Sequence, residues 1–190
     1  MAADLRPLHR RALAEAGALV DLVQPGDLVR ASPCAGWDLA ALLDHMVGQH
    51  HGFGLAVESG DAPAAAYAGP GPSQSLAAWP DSVRRITLAF TAADLTRPVR
   101  LVEISAEQTF PAAAAIGFQL LDTVVHAWDV ATALGRDYRP DEELLTATAR
   151  LAAMVPGGPA REQPGAAFGP ERPAPEDAWA AVLARLGRSA

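Results

Sequence analysis

The stretch PAAAAIGFQLLDTVVHAWDVATALG, residues 111–135, decides how the chain is read. Ile116, Leu120, Val124, Ala127 and Ala131 recur every three or four residues, the period of an α-helix buried along one face. Pro111 suits the first residue of that helix, and Gly135 the position just past its end. Two polar side chains interrupt the apolar run. Asp122 and His126 stand four apart, so a helix stacks them one turn above the other. A carboxylate among Leu120, Leu121, Val124 and Val125 needs a partner. An Asp-x3-His pair is a two-ligand clip for a divalent metal; it is also a common ion pair.

Working outward, DLAALLDHMVGQHHGFGLAV, residues 38–57, is a second helix. Asp38 is its N-cap, and Trp37 ahead of it is placed to pack on Leu42 as a hydrophobic staple. His45, between Leu42, Leu43, Met46 and Val47, is either a hydrogen-bonded core histidine or a third ligand from a neighbouring helix. Two imidazoles and a carboxylate form a three-ligand set that leaves one coordination position for water or substrate. Gln49, one turn beyond His45, suits the wall of the same cleft, whereas Asp44 points about 100° away, toward solvent. His50 and His51 point to other faces and are weaker ligand candidates. His9 reads as a surface residue. Asp129, three residues after His126, is suited to accept the free N–H of a ligating imidazole; pairing near Trp128 or Arg136 is an equal alternative. Cys34 lies just before helix two, where the helix dipole lowers a thiol's pKa. With no histidine near it in sequence, a packing role is the simpler reading.

The remaining elements are also helical. Leu5, Leu8, Ala12, Leu19, Val20 and Val23 mark a helix over residues 4–23, stopped by Pro25-Gly26. Gly60, Pro63, Gly69, Pro70, Gly71 and Pro72 make a loop. Ser73 or Ser75 opens a third helix to about Phe90, with Pro80 in its first turn and Trp79, Val83, Ile86 and Phe90 as its buried stripe. Val99 to Ile104 alternates enough for a short strand or hairpin arm. A fifth helix runs from Pro140 to about Met154, residues 155–175 form a breaker-rich loop, and Glu176 to Leu186 closes the chain. The expected fold is all-α: a helical bundle in one domain over residues 1–190, with extra C-terminal helices and a short strand pair between helices three and four.

Composition narrows the function. Half the residues are hydrophobic but only 6% are aromatic, so alanine carries much of the apolar count and favours closely packed helices. All 15 basic residues are arginine, and the net charge is −7. Arg10-Arg11 and Arg84-Arg85 are isolated pairs, so no basic face suggests nucleic acid as a partner. No apolar run is long enough for a bilayer, and Met1 to Asp4 lacks the cationic-then-apolar build of a leader. Cys34 is the single cysteine, so no intrachain disulfide forms. A cytoplasmic protein is expected; a homodimer is compatible with such a bundle.

Four segments resemble one known family. Ser32-Pro33-Cys34-Ala35-Gly36-Trp37-Asp38, Leu43-Asp44-His45-Met46-Val47-Gly48, Leu121 to Gly135 and Val182 to Arg188 are similar to motifs of the mycothiol-dependent maleylpyruvate isomerase N-terminal domain and its actinobacterial relatives. These belong to the DinB-like superfamily of metal-binding four-helix bundles. The resemblance implies a divalent ion, most often zinc, with Ni, Fe or Mn as alternatives, held by His45, Asp122 and His126. The isomerase has glutamate where this chain has Asp122, which is one methylene shorter, and it carries a second, C-terminal domain. Three functional readings follow. The chain is a metal-binding DinB-like protein of unassigned reaction, a mycothiol-dependent transferase or isomerase that uses a metal-activated thiolate, or a metal-dependent hydrolase. A non-haem iron site with the same ligand set is a fourth, less suited to helices.

Overall fold

The computed structural model describes residues 4–163 and 166–189. The elements, in chain order, are α1 (Arg6–Val20), α2 (Leu39–Ser59), α3 (Ser75–Ala92), β1 (Pro98–Arg100), β2 (Thr109–Pro111), α4 (Ala112–Ala133), α5 (Glu142–Met154) and α6 (Ala178–Arg185), with short 3-10 turns at Pro25–Asp27, Ala64–Tyr67 and Pro159–Glu162. The chain forms two compact units, Met1–Tyr138 and Arg139–Ala190. No helix among the described residues is long and apolar enough to cross a membrane.

In the first unit α2 packs chiefly on α3, and α1 on α4, while α2 and α4 also meet. Helix α4 is buried on nearly every side, as an alanine-rich segment without lysine or arginine must be to stay in water. Asp38 caps α2, its side chain accepting the Ala41 N–H at 2.9 Å. Gly135 follows α4 with φ of +67°, the left-handed stop expected of it. Pro111 is the N-cap of α4, so the helix begins at Ala112, one residue later than the sequence suggests. One core cluster gathers Leu13, Phe53, Ile86, Phe90, Val99 and Ile116; another gathers Val20, Leu39, Leu42, Leu43, Met46 and Val47. The strand pair between α3 and α4 is antiparallel, with Val99 opposite Phe110.

Helix α2 carries two glycines for a packing reason. A methyl group at Gly48 would strike the backbone of residues 67–69, and one at Gly52 would strike the Tyr67 ring. The bare faces let the 60–72 loop lie directly on the helix. Asp44 is therefore not a solvent-side residue as its helical angle suggested: its Oδ1 accepts from the Gly71 N–H at 2.8 Å and from the Ser75 hydroxyl at 2.7 Å, tying that loop and the start of α3 to α2. Pro80 also departs from expectation. Helix α3 begins at Ser75, which puts Pro80 inside the helix beyond its first turn.

In the second unit, Asp141 and Asp177 cap α5 and α6, accepting the Leu144 and Ala180 N–H groups at 2.9 Å each. Arg161 donates to the Pro156 carbonyl at 2.7 Å and to the Arg185 carbonyl, and Arg185 donates to the Ala152 carbonyl at 2.7 Å. With the 3-10 turn at Pro159–Glu162, these bonds give the start of the breaker-rich segment fixed contacts.

His9 is the clearest reversal of the sequence reading. It is 1% exposed, and its Nε2–H donates to Gln119 Oε1, which also accepts from the Thr123 hydroxyl at 2.8 Å. His50 is equally buried and donates through Nδ1 to Ser82 Oγ at 2.9 Å, the serine hydroxyl passing its own proton to the Trp79 carbonyl at 2.8 Å. Burial pushes His9 down to about 4 and His50 down to about 3. Both are neutral when folded and protonate at ordinary values when unfolded, so stability falls as pH drops below about 6.5, down to those folded values. Each histidine should contribute a slope of about 1.4 kcal/mol per pH unit in that window. Urea denaturation at pH 6 and pH 5 checks this: His50→Gln should lose its share of the slope, and an unchanged slope contradicts the assignment.

Candidate metal centre

Helix α4 presents Asp122 and His126 on one face, and α2 presents His45 opposite them. Asp122 Oδ1 lies 3.3 Å from His126 Nε2 and 3.6 Å from His45 Nε2. The two imidazole rings are 5.1 Å apart and nearly perpendicular, at 78°. The three donor atoms all fall within 4.8 Å of one another. The structure thus brings together all three residues singled out in the sequence, and the shorter aspartate still reaches both nitrogens.

This geometry suits an ion. Donors about 2.0–2.2 Å from a common centre stand roughly 3.0–3.6 Å from one another, as the two separations from Asp122 do here. Asp122 Oδ2 is buried without a hydrogen-bond partner, a costly state that a cation would relieve. Burial pulls the Asp122 carboxyl upward, but the His126 ring more than reverses this and holds it well below the usual carboxylate range. Burial likewise pulls His126 down, and Asp122 outweighs it, holding the imidazole well above its ordinary value. With no ion bound, the pair therefore keeps a proton that an arriving metal would displace.

His126 is held from behind. Its Nδ1 lies 2.8 Å from Asp129 Oδ2, and Asp129 is fully buried. A carboxylate only accepts, so Nδ1 carries a proton toward Asp129, and the proton an arriving metal would displace is the one on Nε2, facing Asp122. Of the two placements open for Asp129 in the sequence, the structure has the bond to His126. Cys34 completes the arrangement: its thiol donates to Asp129 Oδ2 at 3.3 Å and sits 3.9 Å from His126 Nδ1. Cys34, His126 and Asp129 form a second cluster of potential ligands, but the 2.8 Å separation is that of a hydrogen bond and shorter than two ligands of one ion adopt. The cysteine has histidine contact after all, across 92 positions of sequence. No local periodicity reveals that. It arises because the 31–38 turn, closed by the bridge between Ala31 and Asp38, folds back beside α4.

The other candidates lie elsewhere. Gln49 is buried, His50 is occupied by Ser82, and His51 is only half-buried. Neither histidine belongs to a potential ligand cluster among the described residues. Trp37, expected on Leu42, is 36% exposed, and its ring lies 4.9 Å from that of His45.

Residues 9–131 match the family described as the mycothiol maleylpyruvate isomerase N-terminal domain. The chain belongs to that family. The match includes all three candidate ligands, together with Cys34 and Asp129. Two proteins of Mycobacterium tuberculosis, from different strains and both described as uncharacterised, are each 32% identical to it over 184 residues, 95% of this chain and 96% of theirs. The fold is that of the crystal structure of the mycothiol-dependent maleylpyruvate isomerase, with a TM-score of 0.59 at 16% identity, and of its histidine-to-alanine mutant, with 0.61 at 15%. Each comparison covers 78% of this chain and 66% of the other, so the chain spans about two-thirds of the isomerase structures it matches. The expectation of a DinB-like helical bundle holds, and the short strand pair appears where the sequence suggested it.

If Asp129 fixes the tautomer and aim of His126, Asp129→Asn should weaken metal binding about 10–100-fold without unfolding the protein. Competition against a chromophoric chelator, with circular dichroism as the folding control, reads this; unaltered affinity contradicts it.

Proposed function

We propose that the chain is a thiol-dependent enzyme of the transferase or isomerase type, with a divalent ion, zinc by preference, at His45, Asp122 and His126, and mycothiol as its cosubstrate. The supporting observation is the asymmetry of the site. Side-chain exposure is 26% for His45 and 21% for Asp122 but 8% for His126, so the ligand set is closed behind and open in front. Three protein donors leave a coordination position on that open side.

A divalent ion held there supplies a positive charge that stabilises a bound thiol as its thiolate, a nucleophile at neutral pH. The protein's own contribution is orientation. Asp122 brings the negative charge that retains a cation, and His45 and His126 add neutral nitrogens that leave the cation electrophilic. Asp129 and Cys34 fix the His126 ring from the buried side. Leu120, Leu121, Val124 and Val125, the chain neighbours of Asp122 on α4, are all buried, and an apolar interior strengthens charge interactions beside it. Family membership favours thiol chemistry over hydrolysis, since the isomerase is named for its dependence on mycothiol. A cytoplasmic setting follows from that reading, because the cosubstrate must stay reduced.

The test uses cobalt(II) as a spectroscopic substitute. Titrating the cobalt-loaded protein with mycothiol should bring up a near-ultraviolet sulfur-to-metal absorption band, absent in His126→Ala. No spectral change at millimolar thiol overturns the proposal.

A further inference from the structure

Trp37 is the one tryptophan described as substantially open to solvent; Trp79, Trp128 and Trp179 are buried. It is also the aromatic ring set against a candidate ligand, 4.9 Å from His45 and tilted by 45°. Its backbone is pinned. The Trp37 N–H donates to the Cys34 carbonyl at 3.0 Å, and the Trp37 carbonyl accepts from the Ser32 N–H at 3.1 Å and the Ser32 hydroxyl at 3.0 Å. Gly36 before it holds φ of +81°, which a side chain there would resist, and Asp38 after it is tied to the first turn of α2. A backbone so fixed holds the indole's point of attachment beside His45. Exposed aromatic surface beside a reactive site is where ligands gain contact area.

We infer that Trp37 is a specificity-determining platform: the ring face of a sugar-bearing thiol lies on its indole while the sulfur reaches the coordination position in front of His45 and Asp122. This rests on the thiol reading proposed above. The class of ligand follows from the chemistry present. The site's opening lies on the side of the two more exposed donors, His45 and Asp122, and Trp37 flanks the first of them. A ligand whose sulfur enters there has its remaining bulk beside the indole. A broad, flat, uncharged aromatic surface recognises the C–H face of a carbohydrate ring, which mycothiol carries and free cysteine lacks. Trp37 thereby selects among thiols, and the metal ligands do not.

The experiment compares Trp37→Ala and Trp37→Phe with the parent, each loaded with cobalt(II), titrated with mycothiol and separately with cysteine. Metal content by elemental analysis should be unchanged in both variants. Trp37→Ala should weaken mycothiol binding about tenfold and leave cysteine within about twofold, and Trp37→Phe should recover most of the loss. Loss of metal in Trp37→Ala would make the residue a support for His45 and overturn the inference. So would equal weakening of both thiols, or no weakening of either. Absence of a sulfur-to-metal band with both thiols in the parent is the distinct failure of the thiol reading itself, and the inference falls with it.

Discussion

A single carboxylate placed in an apolar helix governs this molecule. Asp122 sits on α4 among leucine and valine side chains, with one oxygen facing two imidazoles and the other buried without a hydrogen bond. A charge so desolvated is costly unless positive charge balances it. His126 answers from the same helix and His45 from α2, so the requirement of one side chain ties the positions of two helices. The Asp129 and Cys34 contacts then set which nitrogen of His126 faces forward. Removing the negative charge of Asp122 would leave the two histidines with no reason to converge.

The same constraint explains how the polar groups are sorted in the first unit. His9 and Thr123 both donate to Gln119 Oε1, and His50 donates to Ser82, whose hydroxyl donates to the Trp79 carbonyl. These neutral groups are closed off from the ligand set, and burial keeps the two histidines uncharged. The ligand set of His45, Asp122 and His126 lies instead where α2 meets α4, partly open to solvent beside the exposed Trp37 ring. Structural histidines and chemical histidines thus share one short segment of α2 yet face different neighbours.

Much of this was legible in the sequence. The 3.6-residue periodicity and end signals of α2 and α4 gave both helices to within about two residues, and the four-residue spacing placed Asp122 and His126 on one face. His45 was legible as an alternative, because a histidine in an apolar stripe serves equally in a core or at a site. What escaped depends on tertiary neighbours. His9 reads as a surface residue, yet Gln119, 110 positions away, gives it a buried partner. Asp44 points away from the ligands as the helical angle requires, but the 60–72 loop covers that side because Gly48 and Gly52 leave room for it. Cys34 looked isolated because its partners lie on α4. Trp37 was assigned to a staple, and the structure leaves its ring open beside His45.

The proposed site holds one divalent cation between α2 and α4, on the side of His126 that faces Asp122. Anomalous diffraction collected above and below the zinc absorption edge, on crystals of the zinc-loaded protein, tests this most directly. The expected result is one strong anomalous peak in bonding contact with His45 Nε2, Asp122 and His126 Nε2, with the His126–Asp129 hydrogen bond intact. A peak among Cys34, His126 Nδ1 and Asp129 instead, or no peak while His45, Asp122 and His126 keep their places, would contradict it.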